Sequence, residues 1–124
     1  MTTFHAIVSL LARILISIIF IFGGIEKIMG YDGAVGYMQS AGVPGSLLPL
    51  VIFAELGGGL AILFGVLSRW AGLGLAIFCL ASGALFHNNF ADQTQLIMFM
   101  KNVSMAGGLL LLFANGPGKY AVMD

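Results

Sequence analysis

The sequence is poor in charge. Of its 124 residues only 8% are Asp, Glu, Lys or Arg, against roughly 25% in soluble domains. So few ionised side chains cannot build a water-facing surface, which excludes an ordinary soluble enzyme and a disordered tail. Five basic and five acidic residues cancel, leaving no basic cluster to grip a nucleic acid. Cysteine is almost missing as well, because Cys79 stands alone. That excludes an intrachain disulfide, a Cys-x-x-Cys pair and any dithiol mechanism within this chain.

What is present is apolar: 60% of the residues are hydrophobic and 18 are glycine. Glycine is enriched where membrane helices pack closely. A bilayer core about 30 Å thick needs roughly 20 apolar residues at 1.5 Å rise each. Four segments fit, at about 5–29, 47–67, 70–86 and 94–114. The expected fold is therefore all-α, a polytopic membrane protein built as one four-helix domain over residues 1–124. The first segment is longer than a signal-peptide core and lacks a basic start and an A-x-A-like site, so it is read as a retained anchor.

The loop between spans one and two, Gly30 to Ser46, is punctuated by Gly and Pro. Its Val35, Tyr37, Met38, Ala41 and Val43 predict a short amphipathic helix at the membrane interface. The connection Ser68-Arg69-Trp70 is very short, which makes spans two and three antiparallel neighbours. His87 to Gln93 form a polar third connection, and Gly116-Pro117 stop the last helix. Arg69 and Lys119 fall on one side of the membrane, and Asp32 and Asp92 on the other. By the positive-inside rule both termini face the cytoplasm.

With that topology the polar residues converge on the outer half. Glu26 and Lys27 end span one, Glu55 lies roughly 12 Å into span two, His87 ends span three, and Lys101-Asn102 lie two turns into span four. Intramembrane charges face a bundle interior and pair, and they mark functional sites more often than not. The pairs expected are Glu55 with Lys101, and Glu26 with Lys27 or Lys101. The bland alternative is that these pairs only fix helix register. Arg13 lies in the inner half on the same face as Ser17, Phe20, Gly24 and Lys27. It is expected to reach Glu55 or to snorkel to the inner headgroups. His87 is split between an interfacial anchor and a ligand-binding or proton-carrying ring. His5, His87 and Cys79 make no metal ligand set. Gly57-Gly58-Gly59, Gly65, Gly72, Gly74, Gly83, Gly107 and Gly108 are read as packing residues.

The chain also resembles the DoxX family of small four-helix membrane proteins. The resemblance rests on Arg13 with FIFGGIEKIMGY, on AELGGGLAILFGVLSRWAGLGLA, on KNVSMAGGLLLL and on GPGKYAVMD. It covers nearly the whole chain, and its matching positions are Arg13, Lys27, Glu55, Arg69 and Gly116-Pro117-Gly118. It implies a bacterial inner-membrane location and an association with quinone-linked redox complexes. No flavin, haem or iron–sulfur ligand motif is present, so electron transfer would need a bound quinone or a partner.

Three functions follow as expectations. The first is a component of a quinone-linked membrane redox system, with Glu55, Lys101 and His87 handling the polar head of a small ligand. The second is a non-catalytic scaffold or assembly subunit, and the third a small proton-coupled transporter. Whether the chain is an enzyme stays open. Partners would be the lipid bilayer and either a second copy, since Gly-rich apolar faces pack readily, or a redox-complex subunit.

Overall fold

Apolar runs broken by glycine and polar residues become helices, because a backbone in lipid must satisfy its own hydrogen bonds. The computed structural model describes residues 2–123. Helix α1 spans Thr3–Met29 and α2 spans Tyr31–Ser40. Helix α3 covers Gly45–Phe64, α4 Ser68–Phe86 and α5 Gln93–Asn115. All except α2 are long and apolar enough to cross a membrane. The described residues form no strand, only an isolated bridge between Val66 and Met123.

Two of the helix starts, those of α1 and α5, are capped by side chains. Thr2 accepts a hydrogen bond from the His5 N–H at 3.1 Å, and Asp92 accepts one from the Thr94 N–H at 2.9 Å. The buried residues of α1 are Ala6, Arg13, Ser17, Phe20 and Gly24, one stripe of the helix. Its other faces carry large apolar side chains in the open, such as Leu15 and Phe22. Lipid tolerates such a surface and water does not.

One core joins the four spans: Phe20, Ile62, Leu75, Ala76, Cys79, Ala106 and Leu109. Helix α1 packs on α3, α3 on α4, and α4 most extensively on α5. Glycine sets the α1–α3 spacing. A Cβ on Gly24 would lie 2.9 Å from the Leu56 Cβ, and one on Gly59 3.2 Å from the Ile21 backbone nitrogen. Helices α1 and α5 touch much less. They meet where Gly108 faces Ile16; the end of the bundle that carries the α1–α3 loop is here the loop end.

Two boundaries differ from the sequence reading. Span two ends at Phe64 rather than near 67, and α4 already begins at Ser68. The turn is therefore Gly65-Val66-Leu67, with Arg69 inside the helix. Gly65 (φ 74°) closes α3 in the left-handed conformation that ends a helix, and Leu67 (φ 48°), also left-handed, precedes the first residue of α4. The strained Leu67 is held by its N–H donating to the Met123 carbonyl at 3.0 Å. Helix α5 stops at Asn115, where Gly116 takes a φ of 82°.

The tail then crosses the opposite end, the tail end. Val122 and Met123 donate to the carbonyls of Phe64 and Gly65, each at 3.0 Å. At the loop end, α2 forms where the amphipathic pattern predicts it. Met38 is buried, and the Tyr37 ring stacks on Phe86 of α4 at 5.1 Å.

Candidate functional site

Helix α3 is not uniform. It opens with a 3-10 turn at Gly45–Leu47, continues as an α-helix through Leu48–Ile52, and widens into a π turn at Phe53–Gly57. An α-helix resumes over Gly58–Phe64. Single π turns inside longer helices recur at functional sites. This one holds Glu55, which is 5% exposed.

The Glu55 carboxylate is paired with Lys27, Nζ to Oε1 at 2.8 Å. Helical side chains lean toward the helix N-terminus. Spans α1 and α3 are antiparallel, so Lys27 leans into the membrane while Glu55 leans toward the loop end. The two meet between their helices. Gly23, one turn before Lys27, leaves the space. A Cβ there would sit 2.5 Å from Glu55 Oε2 and 3.8 Å from Lys27 Nζ. The Lys27 side chain stays 34% exposed against 7% for Glu55. The pair is therefore a buried carboxylate beside a lysine whose side chain is partly exposed. It can donate a hydrogen bond, accept one, or pass a proton.

Known proteins support the assignment of the chain. The DoxX family model matches residues 8–88. The chain belongs to the DoxX family. It is 54% identical over 113 residues to Escherichia coli K12 inner membrane protein YqjF, covering 91% of this chain and 87% of that protein. Inner membrane protein YphA of the same organism is 38% identical over 117 residues, covering 88% and 83%. A Bacillus subtilis protein named "Putative oxidoreductase CatD" is 32% identical over 69 residues, 56% of this chain and 52% of that one. No solved structure matches the chain.

The matched DoxX segment contains Arg13, Lys27, Glu55 and His87, while Lys101 and Asn102 lie beyond it. The structure brings together only Lys27 and Glu55 of the expected cluster. Glu55 is paired with Lys27, not Lys101. The reason is the rotation of α5. Asn102 turns to α4, where its Nδ2 donates to the Cys79 carbonyl at 3.1 Å. Lys101, about 100° away around the helix, is turned outward and is exposed.

Glu26 pairs with neither lysine. It is exposed, and adjacent helical residues do not face each other. His87 Nδ1 lies 2.9 Å from Gln95 Oε1, a contact that ties the α4–α5 connection to the first turn of α5. Among the described residues, no group of three His, Cys, Asp or Glu is placed to hold a metal ion.

Arg13 neither reaches Glu55 nor snorkels to the membrane surface. It is 3% exposed. Its guanidinium donates to the Ile62 carbonyl at 3.2 Å and to the Tyr120 carbonyl. Both acceptors belong to the ending of α3 and to the tail folded beneath it. No sequence pattern announced them, since backbone carbonyls carry no residue signature. Arg69 does comparable work nearby: its Nε donates to the Phe113 carbonyl at 2.7 Å, and its guanidinium lies over the Phe113 ring. Gly23 was legible only in hindsight, as the residue one helical turn before Lys27.

Proposed function

We propose that this DoxX chain is an inner-membrane component of a quinone-linked redox system, with the Lys27–Glu55 pair holding the polar head of a lipid-soluble ligand. One observation carries the reading. A carboxylate is buried in a π turn within a membrane span, paired to a lysine whose side chain is partly exposed, and packed so closely on Gly23 that any side chain there would meet it. A quinone carbonyl accepts a hydrogen bond from an ammonium, and its reduction takes up protons that a carboxylate can relay. The electrons come from a partner. The names of the relatives agree with this reading in part: two are named inner membrane proteins and the third, matched over about half its length, is named "Putative oxidoreductase CatD". Arg69 and Lys119 at the tail end favour a topology with both termini in the cytoplasm under the positive-inside rule.

The test is mass spectrometry of small molecules and proteins retained after purification in mild detergent. A quinone retained by the wild type and lost in Glu55→Gln, with the variant still folded in detergent, supports the reading. Equal retention in the variant sinks the site. A stoichiometric protein partner with no small ligand replaces it with the scaffold reading.

A further inference from the structure

A second polar feature lies on the membrane-facing surface. Leu15, Ile19, Phe22 and Glu26 recur at spacings of three and four and form one stripe of α1; all four are exposed. On α5, Met100, Lys101 and Ser104 are likewise exposed. Between these stripes lies a groove of about 540 Å³, bounded by Ile19 on one wall and by Ile97, Met100, Lys101, Ser104 and Met105 on the other. Glu26 sits two turns above Ile19 on the same face. The rim of an apolar groove thus carries one acid and one base, and neither forms an ion pair within the described residues. Facing lipid, each charge is costly.

A third feature points the same way. Gly107 lies one turn beyond Ser104 on the open side of α5, and a Cβ there would meet nothing in the chain. Its packing role, expected from the sequence, is not discharged within one copy. The same holds for Gly74, but Gly74 has no unpaired charges beside it.

We propose that the α1–α5 face is the interface of a homodimer with its two-fold axis along the membrane normal. Such an axis sets α1 of each copy opposite α5 of the other and preserves depth. Glu26 leans into the membrane and Lys101 leans toward the loop end, because α1 and α5 are antiparallel and side chains lean toward helix N-termini. Glu26 of each copy therefore meets Lys101 of the other, twice per dimer, as an isologous interface requires. The apolar stripe of one copy fills the groove of the other, and Gly107 allows close approach. This inference does not depend on the ligand assigned to Glu55.

The experiment is native mass spectrometry of the full chain, released from lipid nanodiscs, with five samples. Wild type is expected to be dimeric. Lys101→Glu and Glu26→Lys each place like charges across the interface and raise the dimer dissociation constant by about tenfold or more. The double variant Glu26→Lys/Lys101→Glu restores the dimer. The decisive sample mixes the two single variants: each is monomeric alone, and together they form a heterodimer with both pairs complementary. Attraction within one chain cannot produce that result. A monomeric wild type, with or without bound anionic lipid, overturns the proposal. So does a single variant that dimerises as well as wild type, or a mixture that stays monomeric.

Discussion

The two ends of this small bundle bury a charged residue each and treat it differently. At the tail end, Arg13 donates to two backbone carbonyls, those of Ile62 and Tyr120. These atoms are fixed by the α3 terminus and by the tail that pairs with it. Toward the loop end, Glu55 has a single flexible side chain as its ion-pair partner, itself a third exposed. Charge held by backbone is architecture, because moving it means unfolding the tail. Charge held by one mobile side chain can exchange its partner for a ligand. Equal burial therefore does not mean equal duty; what satisfies the charge separates a clamp from a site.

That contrast can be broken by mutation, and the largest effect is expected at the clamp. Arg13→Met leaves one buried and one part-buried carbonyl without their charged donor and should destabilise the protein by about 3–6 kcal/mol, at roughly 1.5–3 per charged hydrogen bond. Thermal unfolding in detergent and protease cleavage within residues 116–123 read it; an intact, protease-resistant tail would contradict the clamp. Arg13→Lys should recover less than half, since one ammonium does not match the guanidinium fork.

Next comes Lys27→Met, which strands the Glu55 carboxylate. The cost is about 3 kcal/mol, at the low end for breaking a buried pair because Lys27 is partly exposed. Lys27→Met/Glu55→Met should regain most of that loss, since replacing both partners by apolar groups is often neutral. A double variant as unstable as the single one would mean that Glu55 has another structural task.

Gly65→Ala should cost about 2 kcal/mol, from its left-handed φ and from a Cβ placed 2.5 Å from Arg13 Nη1 and 2.8 Å from the Ala121 Cα. Its signature is a Tm loss with ligand content unchanged. Gly23→Ala is the mirror image. Its Cβ collides with the end of a flexible side chain, Glu55 Oε2 at 2.5 Å, so the carboxylate swings aside at a cost of about 1 kcal/mol. Retained ligand should fall with little change in Tm. If Gly23→Ala unfolds the protein as severely as Arg13→Met, the pair is architecture after all and the contrast between the ends collapses.

Much of the fold was open to reading because the bilayer allows few answers. Apolar runs of bilayer length had to be helices, and Gly30–Ser46 carried an amphipathic pattern that became α2. The α3–α4 turn was misplaced by a few residues because Leu67, a residue type with no turn preference, is held in a left-handed conformation by the tail. The site was half legible. Depth along the helices brought Glu26, Lys27, Glu55 and Lys101 to one half of the bundle, but depth says nothing about rotation about each axis.

The sequence alone, then, determined the membrane class, the helices and the set of charges that had to be explained, because burial in lipid constrains every backbone group and penalises every ion. Tertiary structure alone decided the partners. The π turn aims Glu55 at Lys27, Asn102 takes the inward position that leaves Lys101 on the surface, and the returning tail supplies the carbonyl that holds Arg13. Those choices depend on helix rotation, on a widened turn and on backbone atoms brought from opposite ends of the chain. None of the three has a one-dimensional pattern to betray it.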